Sequence, residues 1–193
     1  MLSAGQCIIT GIEGEVLSSD EKKFLEQNDI SGVILFKHNY KDPAQLAELV
    51  NSIQTCRKEY PLFVSVDHEG GRVHRLSPHF THFPPMKEMA SLDSPKITFE
   101  VHRIMAEELS SCGINLSFSP VCDVLSCTNS KAIGDRAFGD DPELVSKFIS
   151  GAIRGLQTNG VLACAKHFPG HGSTTKDSHL ELPRIDKKLT ELE

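Results

Sequence analysis

The segment 166–179 contains the residues best suited to moving protons. Lys166 and His167 open it, a proline and two glycines then break the chain, and a polar stretch places Asp177 two residues before His179. A carboxylate at this spacing can orient an imidazole and favour its protonated form. The spacing therefore predicts an acid/base pair made of Asp177 and His179.

The same segment could hold a metal ion, because His and Asp side chains are ligands for zinc and iron. The candidates are His167, His171, Asp177 and His179. However, the Pro-Gly pair between the first two histidines prevents the helical i, i+4 presentation of H-E-x-x-H sites. We therefore expect no metal and no other cofactor. The glycines also predict that the loop 170–179 moves and has little to pack against.

The elements that must position this segment are an alternation of strands and helices. Apolar runs of strand length occur at 6–12, 32–36, 62–67, 115–119 and 161–167. Between them, a capping box at 18–21, Asp-Pro pairs at 42–43 and 141–142, and a periodic stretch at 97–112 indicate four helices. This alternation predicts a parallel sheet covered by helices.

Polar residues follow the predicted strands, as in Lys37, Asp67, Asp123 and Lys166. In a (β/α) barrel the carboxyl ends of the strands form the active-site face. No G-x-G-x-x-G follows any strand, which argues against a dinucleotide-binding open sheet. A closed barrel needs eight strands and about 250 residues. We therefore predict α/β architecture of the (β/α)8 TIM-barrel type with only about the first five β/α units, so that residues 1–193 form the N-terminal part of a single barrel domain.

Composition excludes several classes of protein. The 193 residues are 39% apolar and 24% charged, with a formal charge of −6 and scattered basic residues, which disfavours binding to nucleic acid. No apolar run is long enough to span a membrane, and no signal peptide is visible. Six cysteines occur without a C-x-x-C motif. We read them as reduced, mostly buried thiols of a cytoplasmic protein.

The motif K-H-F-P-G-H-G at 166–172, followed by D-S-H at 177–179, resembles the signature of family 3 glycoside hydrolases. The likeness is greatest to the single-domain bacterial β-N-acetylhexosaminidases of peptidoglycan recycling. Four further blocks agree in order: 32–36, 66–73, 115–123 and 133–139. The chain departs from the family pattern mildly at two positions: the family often has Gln where His68 stands and Arg where His38 stands.

The resemblance implies roles for individual residues. His179 resembles the acid/base, and Asp177 resembles its partner. The side chains that match the binding site for terminal N-acetylglucosamine are Asp67, Arg75, Arg136, Lys166 and His167. From the residues alone, Asp67 and Arg136 could also form a structural ion pair at the barrel rim. Loop stabilisation accounts adequately for Glu69 and Asp123.

Retaining glycosidases use a carboxylate nucleophile beside the acid/base. The resemblance implies that it is an Asp in an S-D-D-type segment, which these 193 residues lack. We therefore expect the chain to be truncated relative to its family, inactive alone and able to self-associate through the incomplete barrel. Two alternatives stay open: a non-catalytic protein that binds N-acetylglucosamine or muropeptides, and a metal-dependent hydrolase of a different barrel family.

Overall fold

The computed structural model describes residues 3–57, 59–185, 188 and 190. Its strands are β1 (Ile9–Thr10), β2 (Gly32–Leu35), β3 (Phe63–Val66), β4 (His68–Gly70), β5 (Val73–His74), β6 (Leu116–Ser117) and β7 (Leu162–Ala163). Its α-helices are α1 (Ser19–Gln27), α2 (Pro43–Gln54), α3 (Met86–Ser91), α4 (Pro95–Ser111) and α5 (Pro142–Thr158).

Five strands form one parallel sheet in the order β1-β2-β3-β6-β7. Along this sheet each strand lies beside the one that precedes it in the chain, leaving aside the separate β4–β5 pair. A doubly wound sheet would instead reverse direction at a switch point. The order is that of a (β/α) barrel built from its first five strands, as the sequence predicts.

The helices begin where their capping residues stand. Ser18 accepts a hydrogen bond from the backbone of Glu21, whose side chain returns to the Ser18 backbone. Asp42 and Asp141 cap α2 and α5, and each is followed by proline at the first helical position. These three helix starts are confirmed.

The core lies between the sheet and the helices. Val33, Val64 and Val66 of the sheet are completely buried, and they belong to one cluster with Leu46 of α2 and Leu109 of α4. Burial of such side chains contributes about 1.5–3 kcal/mol each. This packing holds the strand ends rigidly in place.

Three features differ from the sequence predictions. Residues Ala4–Cys7 form a 3-10 turn, closed by the Ile8 amide donating to the Gly5 carbonyl, so that only Ile9–Thr10 of the predicted strand 6–12 is paired in the sheet. The β4–β5 hairpin and helix α3 were not predicted. The hairpin forms because Gly70 and Gly71 adopt positive φ angles of 87° and 53°, which reverse the chain just beyond β3.

Within the described ranges, no helix is both long and apolar enough to cross a membrane. All six cysteines are free thiols. Cys56 and Cys112 are buried, three others are partly buried, and Cys7 is exposed. The prediction of unpaired thiols is confirmed, although fewer of them are fully buried than expected.

Candidate active site

The carboxyl ends of the strands deliver polar side chains to one cavity of about 660 Å³. Asp67 directly follows β3, while Lys166 and His167 follow β7. Arg136 lies in a 3-10 turn, Gly134–Arg136, between β6 and α5. The predicted site residues that line the cavity are Asp67, Arg75, Arg136, Lys166, His167, Asp177 and His179. The structure therefore brings all seven together, in a volume suited to a small ligand.

Glu69 is the buried centre of a partly buried ionic network, which we call the clamp: Asp67, Glu69, Arg136, Lys166 and His167. The Lys166 ammonium lies 2.7 Å from Asp67 Oδ1 and 2.5 Å from Glu69 Oε1. Arg136 binds both oxygens of Glu69, at 2.8 Å each. Arg136 is therefore paired with Glu69 rather than with Asp67, and the suggested ion pair of Asp67 with Arg136 at the rim is wrong.

The network keeps its charges although it is removed from water. Only 3% of the Glu69 side chain is exposed. Burial raises the pKa of Glu69, but hydrogen bonds from Arg136 and the charge of Lys166 outweigh it and hold the pKa below its usual value. Burial also opposes the charge of Arg136, yet Glu69 keeps the pKa of the guanidinium raised. Fixed charges of both signs therefore face the cavity.

His167 is held by a second buried carboxylate. Its Nδ1 donates to Asp123 Oδ2 at 2.6 Å, and Arg136 Nη2 lies 3.4 Å from its Nε2. This arrangement fits a ring that carries its proton on Nδ1 and leaves Nε2 as an acceptor. Asp123 thus fixes the His167 ring in addition to bonding to the loop at the His171 amide, and the interpretation as loop stabilisation covered only the second contact.

The β4–β5 hairpin has two chemically different faces. Glu69, Val73 and Arg75 line the cavity, because they alternate with the histidines along the hairpin. Arg75 Nε is buried without a hydrogen-bond partner among the described residues. A guanidinium held in this way is available to a ligand.

His68 and His74 occupy the opposite face of the hairpin. Their ring centroids are 4.6 Å apart with the ring planes tilted by 46°, and the ring of His82 lies 4.7 Å from that of His74 at a tilt of 44°. Burial lowers the pKa of His68 to about 3, and the neighbouring histidines lower it in the same direction. This face belongs to the core, and its rings are neutral near pH 7.

Asp177 and His179, the predicted acid/base pair, lie at the mouth of the cavity. His179 Nδ1 donates to Asp177 Oδ1 at 2.8 Å, and the His179 amide donates to the same oxygen at 2.9 Å. These two hydrogen bonds lower the pKa of Asp177, and the one from the backbone amide is the larger cause. The pair exists as the spacing predicts, with 87% of the His179 side chain exposed.

The first part of the loop 170–179 is packed, contrary to the expectation that it has little to pack against. Thr174 is buried, and its hydroxyl makes hydrogen bonds with His171 and Lys176. The Gly172 carbonyl accepts from the amide of Cys127 at 3.0 Å. A Cβ at Gly172 would lie 2.1 Å from the carbonyl oxygen of Val124, so only glycine permits this approach.

Three of the four suggested metal ligands are histidines that form hydrogen bonds with other side chains. His167 is bonded to Asp123, His171 to Thr174 and His179 to Asp177. Among the residues that the structure describes, no three His, Cys, Asp or Glu side chains are grouped so that they could hold a metal ion.

Sequence reasoning missed Glu69 and Asp123 as parts of the site. One signal was present for Glu69, because it follows Asp67 by two residues and an extended chain places both on the same face. Asp123 follows a predicted strand, but its partners His167 and His171 are 44 and 48 residues away. No local pattern reveals such contacts.

Known proteins share this chain's sequence and fold. A β-hexosaminidase of Nitrosomonas eutropha is 39% identical over 192 residues, covering 96% of this chain and 55% of that protein. A family 3 β-N-acetylglucosaminidase of a Paenibacillus species superposes with a TM-score of 0.94 at 36% identity, covering 97% of this chain and 36% of that one. NagZ of Neisseria gonorrhoeae, solved with N-trifluoroacetyl-D-glucosamine, superposes with a TM-score of 0.91 at 39% identity, covering 96% and 56%.

The chain spans about half the length of the curated relatives that it matches. The family model described as "Glycosyl hydrolase family 3 N terminal domain" matches residues 6–193, which include every strand of the sheet and the whole cavity. A match of this extent leaves no room for a metal-dependent hydrolase of another barrel family. The chain with this clamp and this Asp177–His179 pair therefore belongs to glycosyl hydrolase family 3.

Proposed function

We propose that this chain is the N-terminal part of the single catalytic barrel domain of a retaining β-N-acetylhexosaminidase. The enzyme would remove terminal, non-reducing β-linked N-acetylglucosamine from peptidoglycan fragments in the cytoplasm. The observation that carries the proposal is that the Asp177–His179 pair opens onto the same cavity as the clamp. A sugar held by the clamp would present its glycosidic oxygen to an imidazole.

The binding residues supply hydrogen bonds of both kinds. The Asp67 carboxylate accepts from sugar hydroxyls, whereas Lys166, Arg136 and Arg75 donate to sugar oxygens. A neutral sugar is recognised by such groups only when they are held in a fixed arrangement. The salt bridges around Glu69 provide that arrangement without help from the ligand.

The acid/base step follows from the hydrogen bonds of His179. Because Nδ1 is bonded to Asp177, Nε2 gives its proton to the departing glycosidic oxygen as the bond from that oxygen to the anomeric carbon breaks. A carboxylate nucleophile forms the new bond to carbon. Water then displaces that carboxylate and returns a proton to Nε2.

The nucleophile is not one of the described carboxylates that line the cavity. Asp67 is bound to Lys166, Glu69 to Lys166 and Arg136, and Asp177 to His179. A carboxylate held by a cation in the unliganded site is a poor attacking group. We therefore assign the nucleophile to a segment of the S-D-D type carried outside these 193 residues.

Sugar binding and turnover by the 193-residue chain test this proposal. We expect N-acetylglucosamine to bind, measured by calorimetry, and Lys166→Met to abolish binding, since it releases both Asp67 and Glu69. Glu100→Gln on α4 is the matched control, because its partner Arg103 lies on the same helix. Hydrolysis of a chromogenic N-acetylglucosaminide should be undetectable.

Other outcomes are equally informative. If the chain does not bind N-acetylglucosamine, the proposal fails. Robust turnover would locate the nucleophile among Asp67, Glu69 and Asp123. Binding without turnover in every longer form of the protein would instead favour the non-catalytic binding function.

We also propose that the 193-residue chain self-associates when it is made alone. Strand β7 is at the edge of the sheet, Leu162 within it is half exposed, and 98% of Phe168 is exposed just beyond it. Unpaired strand edges beside apolar surface favour pairing between chains. Sedimentation velocity over a range of concentrations should reveal oligomers, and a monodisperse monomer at high concentration would contradict the proposal.

A further inference from the structure

Asp123 is a carboxylate that serves two parts of the site at once. Oδ2 accepts from His167 Nδ1 at 2.6 Å, and Oδ1 accepts from the backbone amide of His171 at 2.5 Å. The side chain is completely buried. Burial raises the pKa of Asp123, but the hydrogen bonds from His167 and from the His171 amide prevail and keep the carboxyl ionised. Both contacts are therefore strong, charge-assisted hydrogen bonds.

The two partners belong to different functional parts. His167 is in the clamp and contacts Arg136. His171 begins the loop that ends in Asp177 and His179. No other carboxylate among the described residues bonds both to the clamp and to this loop: Glu69 bonds only to Arg136 and Lys166.

The segment that follows Asp123 also contacts the loop directly. Val124 packs against Gly172, the Cys127 amide donates to the Gly172 carbonyl, and Ser126 and Ser173 are joined by a 2.6 Å hydrogen bond between their hydroxyls. Three adjacent contacts therefore join the segment beside Asp123 to the loop entry.

We propose that Asp123 is a positioning residue that couples the clamp to the acid/base loop, because the two oxygens of one buried carboxylate fix the His167 ring and the His171 backbone together. The inference rests on the proposed function, because the coupling has a role only if the clamp binds a sugar and the loop transfers a proton. A sugar that engages His167 would then tighten the position of the Asp177–His179 pair. Loss of Asp123 would disconnect the two parts.

The test compares Asp123→Asn with Glu69→Gln, which neutralises the other buried carboxylate without touching the loop. Nitrogen-15 NMR of the histidine rings reports the tautomer of His167 and the environment of His179. Hydrogen exchange reports the His171 amide. In the sugar-free Asp123→Asn chain we expect a mixed His167 tautomer, at least tenfold faster exchange of the His171 amide and a shifted His179 resonance.

Glu69→Gln should weaken N-acetylglucosamine binding at least tenfold and leave the His171 and His179 signals unchanged. The inference is overturned if Asp123→Asn alters His167 alone, or if both variants disturb the loop equally. Because these readouts are made without sugar, they remain decisive even if the chain fails to bind N-acetylglucosamine, a result that would refute only the proposed function.

A measurement on the unaltered chain covers the case in which Asp123→Asn does not fold. When urea is added below the unfolding midpoint, the ring signals of His167, the amide of His171 and the amide of Cys127, which reports the loop entry, should change together, because Asp123 and its segment bond to all three parts. Independent changes would overturn the inference.

Discussion

The clamp and the Asp177–His179 pair are built in opposite ways, although they face the same cavity. The clamp joins residues from distant strand ends, such as Asp67 and Lys166, which are 99 residues apart, and its carboxylate Glu69 is 3% exposed. The acid/base pair joins two residues that are separated by one position, and 87% of the His179 side chain is exposed. One part depends on the whole fold and the other on a short loop.

Under the proposed function, this difference divides the work of the site. Charges held in a fixed network need no reorganisation when a ligand arrives, which suits the clamp to the proposed role of positioning the sugar. An exposed pair on a loop is suited to the proposed role in proton transfer, because it can adjust to the leaving group and can open for release of the product. Binding and proton transfer should therefore respond differently to mutation and to pH.

The largest effect is expected at His179, in any form of the protein that turns over N-acetylglucosaminides. His179→Ala should slow cleavage of poor leaving groups about 10²–10⁴-fold, because general acid catalysis contributes that much where the departing oxygen needs a proton. Activated aryl leaving groups should be affected far less. Asp177→Ala should show the same dependence more weakly, because it only orients the ring.

Arg136→Ala is the contrasting variant for this comparison. It should weaken binding of all substrates by a similar factor, since the proposed function assigns Arg136 to the sugar and not to the leaving oxygen. Steady-state kinetics with aryl glycosides of graded leaving-group pKa separates the two patterns. Equal dependence on the leaving group for His179→Ala and Arg136→Ala would erase the distinction between clamp and loop.

The second prediction concerns stability. Glu69→Gln should lower the free energy of unfolding by about 3–5 kcal/mol, because it leaves Arg136 and Lys166 as buried cations with incomplete pairing. The control Glu100→Gln, in a surface pair with Arg103, should cost less than about 1 kcal/mol. Urea unfolding at pH 7 measures both, and similar values for the two variants would show that the clamp is not a desolvated network.

The third prediction concerns pH. Burial lowers the pKa of His68 to about 3 and that of His102 to about 4. In the unfolded chain both histidines bind a proton below about pH 6.5, whereas in the folded chain they stay neutral. The free energy of unfolding therefore has its full value above pH 7 and decreases as the pH drops. At pH 5 each histidine has lowered it by roughly 2 kcal/mol.

The carboxylates do not contribute to this decline. Glu69 and Asp123 have pKa values lowered by folding, so their stabilisation is lost only below the ordinary carboxyl pKa of about 4. Urea unfolding at pH 7 and pH 5 should show a smaller difference in His68→Gln than in the unaltered chain. An unchanged difference in His68→Gln would contradict the prediction.

Much of the fold could be predicted because its signals are local. The caps at Ser18, Asp42 and Asp141 lie next to the helices that they begin, and apolar runs of strand length mark the sheet. The Asp177–His179 pair is local in the same sense. The seven proposed site residues came from the resemblance together with their positions after strands, and the structure gathers them in one cavity.

The remaining features depend on contacts that only the folded chain creates. The partner of Arg136 is Glu69, 67 residues away, and the choice between Glu69 and Asp67 is made by the hairpin that turns Glu69 inward. The hairpin itself depends on two glycines with positive φ, which a reading of apolar periodicity does not detect. Buried polar networks are therefore where sequence patterns carry the least information.

Because the β4–β5 hairpin has two different faces, this region is sensitive to a shift of the strand register. Substitutions at His68 and His74 change the core, whereas those at Val73 and Arg75 change the wall of the cavity, so the two sets can be varied separately in a directed library. An insertion or deletion of one residue would instead exchange the two faces. It would turn the histidine rings toward the cavity and bury a guanidinium in the core.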